Sequence, residues 1–373
     1  MSFTRHGPFV TETTGGARPL TFGAAAVIAF VATAADASDD VFPVGKSVYI
    51  SNTQAVESSA GTSGTLKKAL DAINKQGGTS AIIIRVAEEA NQGDQDTAVI
   101  GTDADGLKTG LQALRAAESK YGVEISAIGA PELDTTAVAA ELIAIGVEIG
   151  AEVFIYANGA TKEDAKAYRD NFGQREVFPF WPNPEGMSAV ALALGMRAKI
   201  DATQGWHKTL SNVPVNGVFG LEKDVSFGLT STTHDAHFLN QNQIITLVNV
   251  DGWRFWGNRG CSADPQFEFE SVVRTAQVIK STIAHGHLWA IDLPVTDDLI
   301  DDIVAGINAA LGELVNQNQL IGAEVWYDPN NNPPTELADG RVKLNYRYTP
   351  VPPLEGLELV QEITDDFLLN LTA

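Results

Sequence analysis

From Ala26 to Ile200, short apolar runs alternate with longer segments of helical periodicity, and this alternation constrains the chain more than any other feature. Strand-like runs fall at Ala26–Thr33, Ser47–Ile50, Ala81–Val86, Ser126–Gly129, Val153–Ala157 and Glu176–Trp181. Helical segments fall at Thr65–Lys75, Gly106–Tyr121, Thr135–Ile149, Thr161–Phe172 and Met187–Ile200. Runs such as AIIIRV (81–86) are apolar without a break, as expected of buried strands, and the intervening helices argue for a parallel, doubly wound α/β sheet. An acidic, glycine-containing stretch at Glu88–Asp105 interrupts the pattern, as a surface loop or short hairpin. It divides a small β-α-β domain (22–100) from an α/β domain (101–200). Nucleotide-binding versions of this architecture need a glycine-rich phosphate loop, and neither GxGxxG nor GxxxxGK[ST] occurs. The sheet therefore reads as scaffold.

After Asp201 the pattern changes. A polar stretch to Asn240 precedes strands at Ile244–Val250 and Arg254–Trp256, helices at Phe267–His285 and Thr296–Asn316, and strands at Ala323–Tyr327 and Arg341–Tyr348. This predicts an α+β domain over 201–349, with a final hairpin that leaves at least one edge free.

The ends of the chain carry further β-prone segments. Past Tyr346 and Tyr348, the prolines Pro350, Pro352 and Pro353 form a stiff spacer that carries the chain away from the hairpin. Leu357 and Leu359 then alternate with Glu358 and Val360. An isolated strand must find a partner for its amides, and that partner is expected in another subunit. Residues 1–21, with a short β-prone run at Phe9, Val10 and Thr11, read as a similar arm, and 350–373 as its C-terminal counterpart.

With 373 residues, 44% apolar and 19% charged, the chain can bury two or three cores. A net charge of −22 from 25 basic and 47 acidic residues opposes nucleic-acid binding. The apolar run 22–35 is too short to span a membrane and too far from the start for a signal peptide, so no membrane insertion is expected. A single cysteine, Cys261, excludes an intramolecular disulfide and reads as a buried thiol suited to a reducing interior. His234 with His237, and His285 with His287, lack further ligands at metal-binding spacing, and no HExxH pattern occurs, so no metal or cofactor is expected. Asp297, Asp298, Asp301 and Asp302 follow the candidate N-cap Thr296, where carboxylates suit the helix dipole; a basic patch on a neighbour is the other reading.

Four blocks then resemble one family. They are DGWRFWGNRGCSADP (251–265) with FES and RTAQVI in the next helix, AKIDATQGWHKTLSNVPVN (198–216), YTPVPPLEGLELVQEITDDFL (348–368) and HGPFVTE (6–12). Together they resemble contractile tail sheath proteins of bacteriophages and R-type pyocins, over almost the whole chain. Gly260, where the family commonly has Thr, and Pro8 with the TTGG stretch depart from the pattern. The motif covers Gly252, Trp253, Phe255, Trp256, Gly257, Asn258 and Arg259. Its aromatics are expected on one strand face with Arg254, and Arg254 or Arg259 on an acidic group.

The resemblance implies a multidomain sheath fold, with an inner α+β domain holding both termini, an outer α/β part and extended arms. It implies a structural subunit of virion tails or tailocins, assembled in the bacterial cytoplasm as stacked hexameric rings around an inner tube. Its other partners would be baseplate and tail terminator proteins. Contraction would drive the tube through a bacterial envelope without nucleotide hydrolysis. Arm strands would add to a hairpin presenting Ala323, Val325, Tyr327, Leu344, Tyr346 and Tyr348. The alternative from another class is an α/β enzyme with an unrecognised site.

Overall fold

The computed structural model describes residue 20, residues 26–365 and residue 367. Its centre is a six-stranded sheet. Strands β1 (Val27–Thr33) and β2 (Ser47–Ile50) are followed by helices α1 (Thr53–Val56) and α2 (Leu66–Lys75), and then by β3 (Ala81–Val86). The acidic interruption holds helix α3 (Gln92–Ile100) and a small hairpin, β4 (Asp103–Ala104) and β5 (Leu107–Lys108). There follow α4 (Ala117–Tyr121), β6 (Ile125–Gly129), α5 (Thr136–Ile149), β7 (Glu152–Tyr156), α6 (Lys162–Arg169), β8 (Val177–Phe180) and α7 (Ala189–Thr203).

The sheet order is β2-β3-β1-β6-β7-β8, all parallel except β2. Strands from before and after residue 100 pair directly, β1 with both β3 and β6, so the acidic stretch is an excursion from one continuous sheet. The expected helix over 106–121 is replaced by β5, a 3-10 turn at Gly110–Ala116 and the short α4. Gly110 has φ +51°, and a side chain there would lie 2.5 Å from the Val99 carbonyl, so the regular helix is interrupted.

Period-two alternation divides the apolar strand residues between two cores. Ile28, Phe30 and Ile83 join α2 and α7 on one face, while Ala29, Val31, Ile82 and Ile84 join α5 on the other. Helix α7 is buried almost all round and packs closely on α2: a Cβ added at Gly195 would lie 2.9 Å from the Ile73 Cα.

The remaining elements are α8 (Asp235–Gln241), β9 (Thr246–Asn249), β10 (Trp253–Trp256), α9 (Glu270–Gly286), α10 (Asp297–Asn316), β11 (Leu320–Tyr327), α11 (Pro334–Ala338) and β12 (Leu344–Pro350). Hairpin β9–β10 is fastened to the sheet by the edge-on pair of Phe255 with Phe180 of β8, which itself packs edge-on against Phe154 of β7; both pairs have centroids 5.3 Å apart and each is worth about 0.5–1.5 kcal/mol. A third, smaller core joins Val278 and Ile279 of α9, Ile307, Leu311 and Leu314 of α10, and Leu320 and Val325 of β11. Among the described residues no helix is long and apolar enough to cross a membrane.

Candidate functional site

Strands β11 and β12 form a separate antiparallel pair, and neither has another strand partner among the described residues. The register sets Ala323 opposite Tyr348, Val325 opposite Tyr346 and Tyr327 opposite Leu344, so all six residues expected in the hairpin meet in it. Helix α10 braces β11: Asn308 on the helix donates to the Val325 carbonyl and accepts from its amide, both at 2.8 Å. Asn308 thereby occupies the outward amide and carbonyl of Val325 on the β11 edge, whereas the outer edge of β12 has no strand partner among the described residues.

Beyond Pro350 the described residues join no ladder. Leu357, Leu359, Val360 and Ile363 are exposed by 72 to 91%, and Glu358 is exposed as well. Apolar side chains in that state need a cover from outside this stretch. Phe9, Val10 and Thr11, the residues expected in the N-terminal arm, lie outside the described residues.

The C-terminal segment is nevertheless attached at one point. Arg259, just past β10, donates from Nε and Nη2 to the two carboxylate oxygens of Glu355, each at 2.8 Å, and from Nη1 to Glu268. Its guanidinium also lies over the Phe269 ring. Hydrogen bonding to Glu355, the largest influence, raises the Arg259 pKa. Within β10, Phe255 is fully buried, while Arg254 reaches out to Asn212 Oδ1 and the Asp251 carbonyl. The expectation that Arg254 shares the aromatic face is thus corrected: adjacent strand residues point to opposite sides. Gly252 and Gly257 take positive φ values at the two ends of the strand, and the buried Asn258 offers its carbonyl to the amide of Glu270 at the start of α9.

Behind this surface lies a buried ionic junction that sequence reasoning missed. Arg197 on α7 pairs with Asp201 at 2.6 Å, pairs with Glu270 on α9, and donates to the Lys208 carbonyl. Arg274 on α9 donates to Asp201 at 2.7 Å and to Ser126 Oγ at 3.0 Å. Two arginines and two carboxylates balance. A fifth group, Glu152, is fully buried and neither of its oxygens has a hydrogen-bond partner. Burial, and next the Glu270 charge, push its pKa well above the usual carboxylate range, which favours the neutral acid beside the paired charges. The available signal was an arginine and an aspartate four apart in a helix apolar on every side.

The other candidates resolve simply. Cys261 is buried, and burial pushes its thiol up to about 12. His234 sits at the N-cap of α8, outside the helix that holds His237. His285 lies 3.3 Å from both Glu118 and Glu124, clipping α9 to the first turn of α4 and to the residue before β6, whereas His287 faces the carbonyl of Ile283 in the preceding helix. The turn before α2 is filled from within, because Asp36 accepts the backbone and hydroxyl hydrogen bonds of Thr62 and Ser63.

Residues 106–261 match the model of the phage tail sheath protein central domain, and residues 262–364 that of the phage tail sheath C-terminal domain. The boundary falls between β10 and α9, so the buried junction joins the two matched regions. The chain is 44% identical over 390 aligned positions to the tail sheath protein of Escherichia phage P2, covering 100% of this chain and 98% of that one. Its fold is similar to the contracted helical sheath of the anti-feeding prophage, with TM-score 0.73 and 19% identity over 98% of this chain and 100% of that one. It is likewise similar to a chain of the six-fold symmetrised baseplate of that particle, with TM-score 0.72 and 20% identity over 97% and 100%. The relatives are structural proteins rather than enzymes. Matches to both sheath domain models, with close likeness to a sheath protein along its whole length, place this chain in the phage tail sheath family.

Proposed function

We propose that this sheath protein polymerises as stacked hexameric rings around an inner tail tube, with neighbours linked by their N- and C-terminal segments. The assembled sheath shortens to drive the tube through a bacterial envelope, drawing on interface energy stored at assembly and hydrolysing no nucleotide. The carrying observation is that one chain holds both an open-edged hairpin and an unpaired, apolar, extended segment. Main-chain hydrogen bonds along the β12 edge supply affinity for such a segment, and alternate side chains supply register.

In this reading residues 201–349 form the inner domain, and residues 22–200 lie further out. Segments 1–21 and 350–373 are the links, contributing Phe9 to Thr11 and Leu357 to Val360. The tube, the baseplate and a tail terminator are the other partners, and assembly takes place in the bacterial host cytoplasm before release as a virion tail or headless particle. Six-fold symmetry in the baseplate neighbour supports the ring number.

The test is electron microscopy of the purified protein beside two truncations, one lacking residues 1–18 and one lacking 354–373. Each truncation should remain a folded monomer that forms no tubes. Normal tubes from either one would remove the linking role of that segment.

A further inference from the structure

Helix α9 meets the central body at two places. Glu270 and Arg274 hold its first turns in the buried junction, and His285 in its last turn reaches Glu118 and Glu124, about 16 Å further along the helix axis than Arg274. Between the two attachments a groove of about 830 Å³ runs beside the helix, and Glu124, Gln277, Ser281 and His285 are among the residues that line it.

The second attachment is a set of metal ligands. One ligand atom from each of Glu118, Glu124 and His285 lies within 4.8 Å of the other two, and all three residues are exposed. His285 Nε2 is 3.3 Å from Glu118 Oε1, and Nδ1 is 3.3 Å from Glu124 Oε1. Tetrahedral bonds of about 2.1 Å to nitrogen and oxygen set ligand atoms about 3.4 Å apart, a spacing that small shifts of exposed side chains complete. Ser281, one turn before His285, orients two of the three: its carbonyl lies 3.2 Å from His285 Nδ1, and its hydroxyl donates to the Glu124 carboxylate. With the Nδ1 hydrogen turned to that carbonyl, the Nε2 lone pair faces Glu118. A metal-binding histidine is held in this way, by backbone at its second nitrogen.

Charge points the same way. Neither glutamate has an ion pair with lysine or arginine among the described residues, and a singly charged imidazolium cannot balance two carboxylates. A divalent ion on a neutral ring balances both. The mixed nitrogen and oxygen set suits zinc or a similar transition ion, since calcium and magnesium prefer oxygen alone. Sequence spacing around His285 carries no sign of this set, because Glu118 and Glu124 lie far from it along the chain.

We propose that Glu118, Glu124 and His285 bind a divalent transition-metal ion, with water completing its coordination, and that the ion staples the last turn of α9 to α4 and to the residue before β6. The ligands come from both regions matched by the sheath domain models, so the ion joins those regions at a second point beyond the buried junction. The site lies within one chain and stands apart from the assembly proposed above.

The test is equilibrium dialysis of the full-length, chelator-treated protein against zinc, with metal content read by mass spectrometry. Amide exchange over residues 278–286 is followed with and without zinc. Wild-type protein should take up one zinc ion per chain, and exchange in that segment should slow. His285→Ala and Glu118→Gln should each weaken uptake at least about tenfold, and the fold should survive both because the side chains are exposed. His237→Ala, a histidine outside the cluster, should leave uptake unchanged. No uptake by wild-type protein, or equal uptake by the two cluster variants, overturns the proposal. Uptake that leaves amide exchange unaltered overturns the stapling role.

Discussion

Arg259 grips Glu355 with a two-pronged hydrogen bond across 96 positions of sequence. The planar guanidinium fixes the direction of the carboxylate as well as its distance. The C-terminal segment therefore departs from the body at a set point beside β10, with its apolar residues leading outward.

Replacing Arg259 by Ala should release that segment without unfolding the body. The pair is about one-third exposed, so the cost in stability is about 0–1 kcal/mol. Amide exchange over residues 354–360 should accelerate, and Arg259→Lys, which lacks the fork, should fall between. Exchange identical to wild type would show that this grip does not hold the segment.

Replacing Arg197 by Ala should be severe. It strands Glu270 and leaves Asp201 with Arg274 alone in a site with no exposure, a loss on the order of 3–5 kcal/mol. Chemical denaturation should show a large drop in midpoint, or the variant should fail to fold. A loss below about 1 kcal/mol would contradict the junction's role in joining α7 to α9.

Two buried carboxyls give stability an inverted pH dependence. Burial lifts Asp134 from 3.8 to about 7, against the opposing Tyr156 amide, and lifts Glu152 in the same direction. Folded pKa values above the unfolded ones mean that the contribution is complete below the unfolded value and is lost as pH rises to the folded one. For Asp134 this window runs from about pH 4 to about pH 7. Asp134→Asn should therefore raise Tm near neutrality and flatten its slope over that window. Glu152→Gln should do the same towards higher pH. A Tm gain that stays constant across pH would rule out titration as the cause.

Two glycine-to-alanine changes should act in opposite directions. At Gly195 the new methyl meets the backbone of Ile73 and forces α2 from α7, costing about 1–3 kcal/mol. At Gly312 it meets open space, so helix propensity should stabilise the isolated chain by about 1 kcal/mol. Thermal melts of the two variants moving the same way would contradict the packing described for α7 and α10.

The sheet was legible because its central strands are apolar on both faces: the run at Ala81–Val86 is β3 residue for residue. The final hairpin was legible from alternation at Tyr346 and Tyr348. The stretch 106–121 misled because Leu111, Leu114 and Ala117 keep helical spacing while Gly110 turns the backbone away from a helix. The charged junction was hidden for another reason. Arg197 meets Glu270, and Asp201 meets Arg274, each across 73 positions, and periodicity carries no signal over that range.

That junction also bears on mechanics. Every hydrogen bond from Arg197 and Arg274 spends a donor whose loss would leave charge stranded without water, so α9 cannot slip along α7 by small steps. The molecule is a brick without a hinge across this seam. On the sheath reading proposed above, a stack of such bricks would change length by changing the angles at which they meet, and the work of shortening would reside in the mortar.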